Sequence, residues 1–165
     1  MIDRRSLLAS GALAGLTALL PLHSLAQAKK ETVNLALTLE PPVLDPTASA
    51  SSSIAEITQY NIFETLTKIN PDGSVSPLLA ESWEVSPDLK TYTFRLRKGV
   101  KFQNGQPFSA ETVKFSLERA GSEKSTNKDK RSFSGLKIRV IDAFTIEVVT
   151  QEIDPDFLFV MGQGT

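Results

Sequence analysis

Apolar and polar positions alternate from Val33 to Leu39, with Val33, Leu35, Leu37 and Leu39 on one face and Asn34, Ala36 and Thr38 on the other. That period of two predicts a half-buried strand. Glu40-Pro41-Pro42 ends it, because proline brings no N–H to a ladder and restricts the residue before it. Val43-Leu44-Asp45-Pro46 then reads as a fixed, irregular connection. Next comes the run Ser51-Ser52-Ser53, ahead of Ile54, Ile57, Phe63 and Leu66. Ser53 with Glu56 three residues on matches a capping box, which predicts a helix from about Ile54.

Short antiparallel strands are predicted between Leu66 and Val100. Leu66 to Ile69 is closed by the turn Asn70-Pro71-Asp72-Gly73, and Ser82 to Val85 by Ser86-Pro87-Asp88. Thr91 to Leu96 alternates most cleanly. After Val100-Lys101-Phe102, Asn104-Gly105 marks a tight turn. Ser109 should cap a helix with Glu111 in its first turn, Val113, Leu117 and Ala120 on its inner face, and Gly121 as a left-handed stop. Residues 121–135 are polar and aperiodic and read as a solvated loop, despite Lys124, Lys128, Lys130 and Arg131. Two more strands are expected at Ile138–Ile141 and Thr145–Val149. Asp154-Pro155 then suggests an N-cap followed by proline at the first helical position. That helix start so near Thr165 suggests a fragment. Trp83, Phe94, Phe102, Phe108 and Phe115, at strand and helix spacing, are expected to be core.

Composition changes the picture mainly at the N-terminus. Arg4 and Arg5 precede an Ala-, Gly- and Leu-rich run from Leu7 to Leu22, and Ala26-Gln27-Ala28 supplies a small-x-small cleavage pattern. The run is short for a membrane span, so residues 1–28 read as an export signal. The adjacent arginines ahead of Ser6-Leu7-Leu8 point to the twin-arginine route.

The whole chain of 165 residues carries a formal charge of -1, giving no basic surplus for nucleic acid or anionic lipid. It has no cysteine, so disulfides, thiolate chemistry and lipid attachment through an N-terminal Cys are excluded for these residues. Its single histidine, His23, lies in the leader. Residues 29–165 therefore contain neither His nor Cys, and cannot by themselves form a Ser-His-Asp triad or a His-ligated zinc site. Carboxylate chemistry stays open, but the acidic residues are scattered along surface-like stretches.

Several spaced blocks carry a resemblance. They are Asn61-Ile62-Phe63-Glu64-Thr65-Leu66, Pro77-Leu78-Leu79-Ala80-Glu81-Ser82-Trp83, Thr93-Phe94-Arg95-Leu96-Arg97 and the run Gly99 to Phe108, followed by Ala110, Val113, Phe115-Ser116 and Arg119. In this order the chain resembles the family 5 extracellular solute-binding proteins, the peptide-, oligopeptide- and nickel-binding components of ABC importers. The resemblance implies an α+β fold like that of type II periplasmic binding proteins, in which two lobes close on a solute. Residues 29–62 would begin the first lobe, 63–150 would form the small accessory mixed α/β domain, and 151–165 would return to the first lobe. The second lobe has no counterpart in these residues.

The resemblance further implies a periplasmic, monomeric protein that is neither an enzyme nor a lipoprotein and needs no cofactor. It would carry a peptide or similar small solute to ABC permease subunits, with no stable membrane insertion once the signal is removed. By position after the Leu-Asp-Pro match, Ala50, Ser51, Ser52 and Ser53 are the candidate ligand-binding backbone. An extended segment there could pair with a peptide main chain by strand addition. The alternative is that these serines only cap the helix. Nickel or haem binding, and opine- or sugar-type binding, occur on the same fold, although residues 29–165 offer no His or Cys ligand. A secreted hydrolase and a stand-alone interaction module are the readings from other classes.

Overall fold

The computed structural model describes Asn34 and residues 36–163; Arg4, Arg5, Ala26, Ala28, Val33 and Leu35 lie outside the described residues. The architecture is that of the unit from Leu37 onward. Its elements are α1 (Ser52–Thr58), β1 (Thr67–Ile69), β2 (Val75–Pro77), β3 (Ala80–Val85), β4 (Thr91–Leu96), α2 (Ala110–Gly121), α3 (Lys130–Phe133), β5 (Lys137–Asp142), β6 (Thr145–Val149) and α4 (Phe157–Val160).

An antiparallel sheet of order β3-β4-β6-β5 forms the centre, and β1 and β2 make a separate two-stranded ribbon. The alternation read in Thr91–Leu96 sets the sheet's inner face. Tyr92, Phe94 and Leu96 of β4 and Ile146 and Val148 of β6 are buried, with Phe94, Ile146 and Val148 wholly so. In register, Phe94 stands opposite Ile146 and Tyr92 opposite Val148, so large apolar side chains meet as cross-strand pairs. Helix α2 lies over this face through Ala110, Val113, Leu117 and Ala120, the i, i+3, i+7, i+10 stripe of an amphipathic helix. Phe157 of α4 closes one end against Tyr92, with ring centroids 4.6 Å apart. On the outer face Arg95 meets Glu84 at 3.0 Å, and Arg139 holds Glu147 through two bonds of 3.0 Å.

Each edge strand carries one irregularity. The partners of Leu96 and Arg95 are Ala80 and Ser82, so Glu81 is an extra residue in β3. Likewise Ile141 is extra in β5, between Val140 and Asp142.

The turns follow their residue types. Gly73 N–H bonds Asn70 O at 2.9 Å. Gly105, at φ +83°, lets Phe102 N–H reach Gln106 O at 2.8 Å. Ser109 is the N-cap of α2, and its N–H bonds Thr112 Oγ1 at 3.1 Å.

Other expectations need correction. Residues 36–39 are not in a strand, and Leu37 and Leu39 are exposed; among the described residues no strand lies beside them to complete a ladder. Helix α1 begins at Ser52 with Ser51 as N-cap, so Ser53 is inside the helix and does not cap it with Glu56. The helix also stops at Thr58, well short of Phe63. Gly121 is the last residue of α2 and does not take a positive φ. Its role is steric, since a Cβ there would overlap the Phe133 carbonyl. The segment after Gly121 is not wholly solvated: α3 interrupts it and Phe133, Ser125 and Asn127 are buried. Helix α4 is capped at Asp156, two residues later than expected, because the Asp154 side chain and carbonyl first form a turn with Asp156 and Phe157 N–H. Among the five aromatic residues expected in the core, Phe94 and Phe108 are buried and Trp83 packs at its margin. Phe102 is 41% exposed and Phe115 67%. Phe115 follows the buried Val113 by two positions, which places it on the opposite side of α2.

Candidate functional site

The stretch preceding α1 is shaped by a single carboxylate. Asp45 Oδ1 accepts the Thr47 N–H at 2.9 Å and the Thr47 hydroxyl at 2.8 Å, the local Asx turn that an Asp-x-Thr spacing allows. The same carboxylate pairs with the Arg119 guanidinium near the end of α2, through Oδ2 to Nη2 and through Oδ1 to Nη1 at 3.4 Å. Partial burial raises the Asp45 pKa, but the bonds from Arg119 and Thr47 together outweigh it and hold the carboxyl below its ordinary value of 3.8. Two residues along the turn, the carbonyl of buried Thr47 accepts the Thr126 N–H at 2.9 Å. The irregular connection read from Val43-Leu44-Asp45-Pro46 is thus fixed from outside, by α2 and by the 122–128 segment.

Ala50–Ser53 emerge from this turn. Ala50 is exposed, and neither its N–H nor its C=O joins a backbone hydrogen bond among the described residues. Ser51 N–H bonds Ser49 Oγ at 3.3 Å, and the Ser51 and Ser53 hydroxyls lie 2.7 Å apart. Ser52 is exposed, whereas Ser53 is wholly buried. The two exposed members therefore present groups outward, while Ser53 faces inward.

A small open hollow lies beside this stretch. Ala50, Ser51, Ile54 and Ala55 form one wall, and Asn127, Lys128 and Gln163 stand opposite. Lys128 bonds both Asp129 and Gln163 there. Asn127 is buried, with its Oδ1 accepting Asp129 N–H at 2.7 Å. Of the four residues the sequence proposes, Ala50 and Ser51 line this hollow and Ser52 and Ser53 do not, and the opposite wall was not among the sequence candidates. Nothing in an aperiodic polar stretch signals that Asn127 and Lys128 come back against residues more than 70 positions earlier. The Asp45-x-Thr47 spacing was the available clue to the turn; Arg119 as its partner had none. The arrangement offers main-chain and hydroxyl groups for hydrogen bonding. Among the described residues no group of three His, Cys, Asp or Glu side chains could hold a metal ion. No described helix is long and apolar enough to cross a membrane.

The sheet, its covering helix and the clamped segment define a portion of a type II periplasmic binding protein. Among solved structures, that of AgaA in complex with agropinic acid from A. tumefaciens R10 superposes with a TM-score of 0.68 at 32% identity, over 74% of this chain and 25% of that one. Residues 74–164 match the family described as bacterial extracellular solute-binding proteins, family 5 Middle, and the chain belongs to that family. Two curated relatives bracket the similarity. The nickel-binding periplasmic protein of Escherichia coli K12 is 57% identical over 55 residues, 33% of this chain and 10% of its own length. The glutathione-binding protein GsiB of Escherichia coli O1:K1 / APEC is 31% identical over 152 residues, 92% of this chain and 28% of its own. The chain thus spans about a quarter or less of most of the relatives it matches. The family consists of binding proteins, and its members act as small-solute receptors of ABC importers.

Proposed function

We propose that this chain is the N-terminal part of an exported, non-enzymatic solute receptor that takes up peptides or similar small solutes and hands them to an ABC permease. In this reading residues 1–28 are a twin-arginine signal built on Arg4 and Arg5 and cleaved after Ala26-Gln27-Ala28, leaving a periplasmic protein without a lipid anchor. Removal of Asp3, Arg4 and Arg5 with the signal moves the formal charge from -1 to -2. Residues 29–62 open the first lobe, 63–150 form the accessory domain and 151–165 return to the first lobe.

The observation that carries the peptide reading is the main chain of exposed Ala50, which has no backbone partner among the described residues, next to a turn held from outside. A peptide ligand is itself a row of N–H and C=O groups. A receptor that meets it with main chain can hold many sequences, leaving side-chain pockets permissive. Ala50 supplies such groups, while Ser51, whose N–H bonds Ser49 Oγ and whose carbonyl accepts the Ile54 N–H, and buried Ser53 support the turn into α1, where Ser52 is the first helical residue. Similarity to a glutathione-binding protein over 92% of the chain supports a short-peptide ligand, since glutathione is a tripeptide. The 57% identical stretch favours a second reading, in which the solute is a chelated nickel ion. In that reading the nickel ligands come from the chelator or from parts of the receptor outside these residues, because residues 29–165 contain no His or Cys.

Native mass spectrometry of the exported protein from periplasm distinguishes these readings. Mass increments matching short peptides are expected. Recovery of a nickel complex instead would establish the second reading, and turnover of a chromogenic ester or peptide would replace both with a hydrolase.

A further inference from the structure

We infer that Arg119 is a positioning residue for the solute, acting through Asp45 and Thr47 on the main chain of Ala50. This rests on the assignment of that stretch to the ligand.

The connectivity is specific. Arg119 sits in the last turn of α2, whose other face is locked into the core by Leu117 and Ala120. Its guanidinium therefore projects from a rigid element and engages both oxygens of Asp45, a fork that a planar side chain with several donors makes well. Asp45 in turn holds the Thr47 N–H and hydroxyl, and its carbonyl accepts the Ala48 N–H at 3.1 Å. Two residues later the chain reaches Ser49 and Ala50, at one wall of the hollow. The Thr47 carbonyl meanwhile takes the Thr126 N–H, and Thr126 directly precedes Asn127 and Lys128 on the other wall. Both walls are thereby registered against one helix.

This clip is polar where apolar burial is lacking. Val43 and Leu44, just ahead of it, are exposed, so apolar packing does not fix the turn. An ion pair with its charges partly in water usually contributes little to global stability. Placed at the turn leading into the binding stretch, it instead selects one conformation of a segment whose alternatives are close in energy. Loss of Arg119 should therefore change the local shape and the affinity more than the stability of the sheet.

The test uses the full exported protein and reads two quantities for each variant. The first is amide hydrogen exchange in residues 45–55, with β4 and β6 as internal reference. The second is the dissociation constant for a mixture of alanine di- to pentapeptides, measured by calorimetry. Arg119→Met is expected to speed exchange in 45–55 about tenfold and to weaken peptide binding by a similar factor, the scale of one lost charged hydrogen bond. Arg119→Lys, which keeps the charge and loses the fork, should recover part of both. Asp45→Asn should resemble Arg119→Met. Unchanged exchange in 45–55 would overturn the inference, as would equal acceleration in β4 and β6. A wild-type protein that binds none of the peptides would sink the peptide reading, while the exchange data would still decide whether Arg119 sets the turn.

Discussion

The central sheet and the segment from Leu37 to Phe63 are held by different physics. In the sheet, Phe94, Ile146 and Val148 lose all contact with solvent and pair across strands. In the earlier segment, Leu37, Leu39, Val43, Leu44, Ile62 and Phe63 are exposed; α1 buries Ile54, but the turn ahead of it is fixed by the Asp45, Thr47, Arg119 and Thr126 bonds. Burial is non-directional and adds over many atoms, so it yields a stable platform. A few polar bonds define a shape without much stability. A receptor needs both properties, a platform that stays folded and a binding stretch whose conformation can respond to a ligand.

The largest test of this contrast is Phe94→Ala. Deleting a wholly buried ring at the sheet centre should cost about 3–5 kcal/mol, read as a lower denaturant midpoint. Gly121→Ala follows. Its Cβ would collide with the Phe133 backbone, and about 1–3 kcal/mol is expected, with α3 displaced from α2. Thr47→Val should cost about 1 kcal/mol by removing the hydroxyl bond to Asp45, with the change confined to exchange rates near residue 47. Equal effects of Phe94→Ala and Thr47→Val would erase the distinction between the two regions.

Acid probes the same contrast through protonation. Asp45 has a depressed pKa in the fold, as do Asp72, Asp88 and Asp142, the first two through Ser74 and Ser86 hydroxyls and the last through the Phe144 N–H. Their stabilisation is fully present above the ordinary value of 3.8 and is lost as the pH falls through the lower folded values. Thermal stability should therefore decline below about pH 4, and Asp45→Asn should flatten part of that slope. The smallest effect is expected from Phe115→Ser. With that ring 67% exposed, the unfolding midpoint should move by no more than about 0.5 kcal/mol equivalent.

Legibility in sequence followed the same divide. Strands β4 and β6, the Asn70–Gly73 turn and the start of α2 could be read because period-two alternation, turn residues and a cap each act within a few positions. Misreadings arose where a distant neighbour decides. Gly121 resembled a helix stop, but the Phe133 carbonyl, twelve residues on, requires it to be small. Phe115 shares its residue type with core positions, and only the phase of α2 turns it outward. At the candidate site, Ala50–Ser53 were proposed through a resemblance rather than a pattern. Asn127 and Lys128, which line the same hollow as Ala50 and Ser51, belong to a stretch with no periodicity to read.

The extra residues Glu81 and Ile141 have a consequence for the molecule in a crowded compartment. A regular outer strand would offer neighbouring molecules an unbroken row of amides on which to zip. Here both rims of the sheet are dislocated, one at a carboxylate, so another chain finds no continuous template for growth. Deleting either residue to restore a straight rim should leave the interior packing intact while making concentrated samples prone to fibril formation.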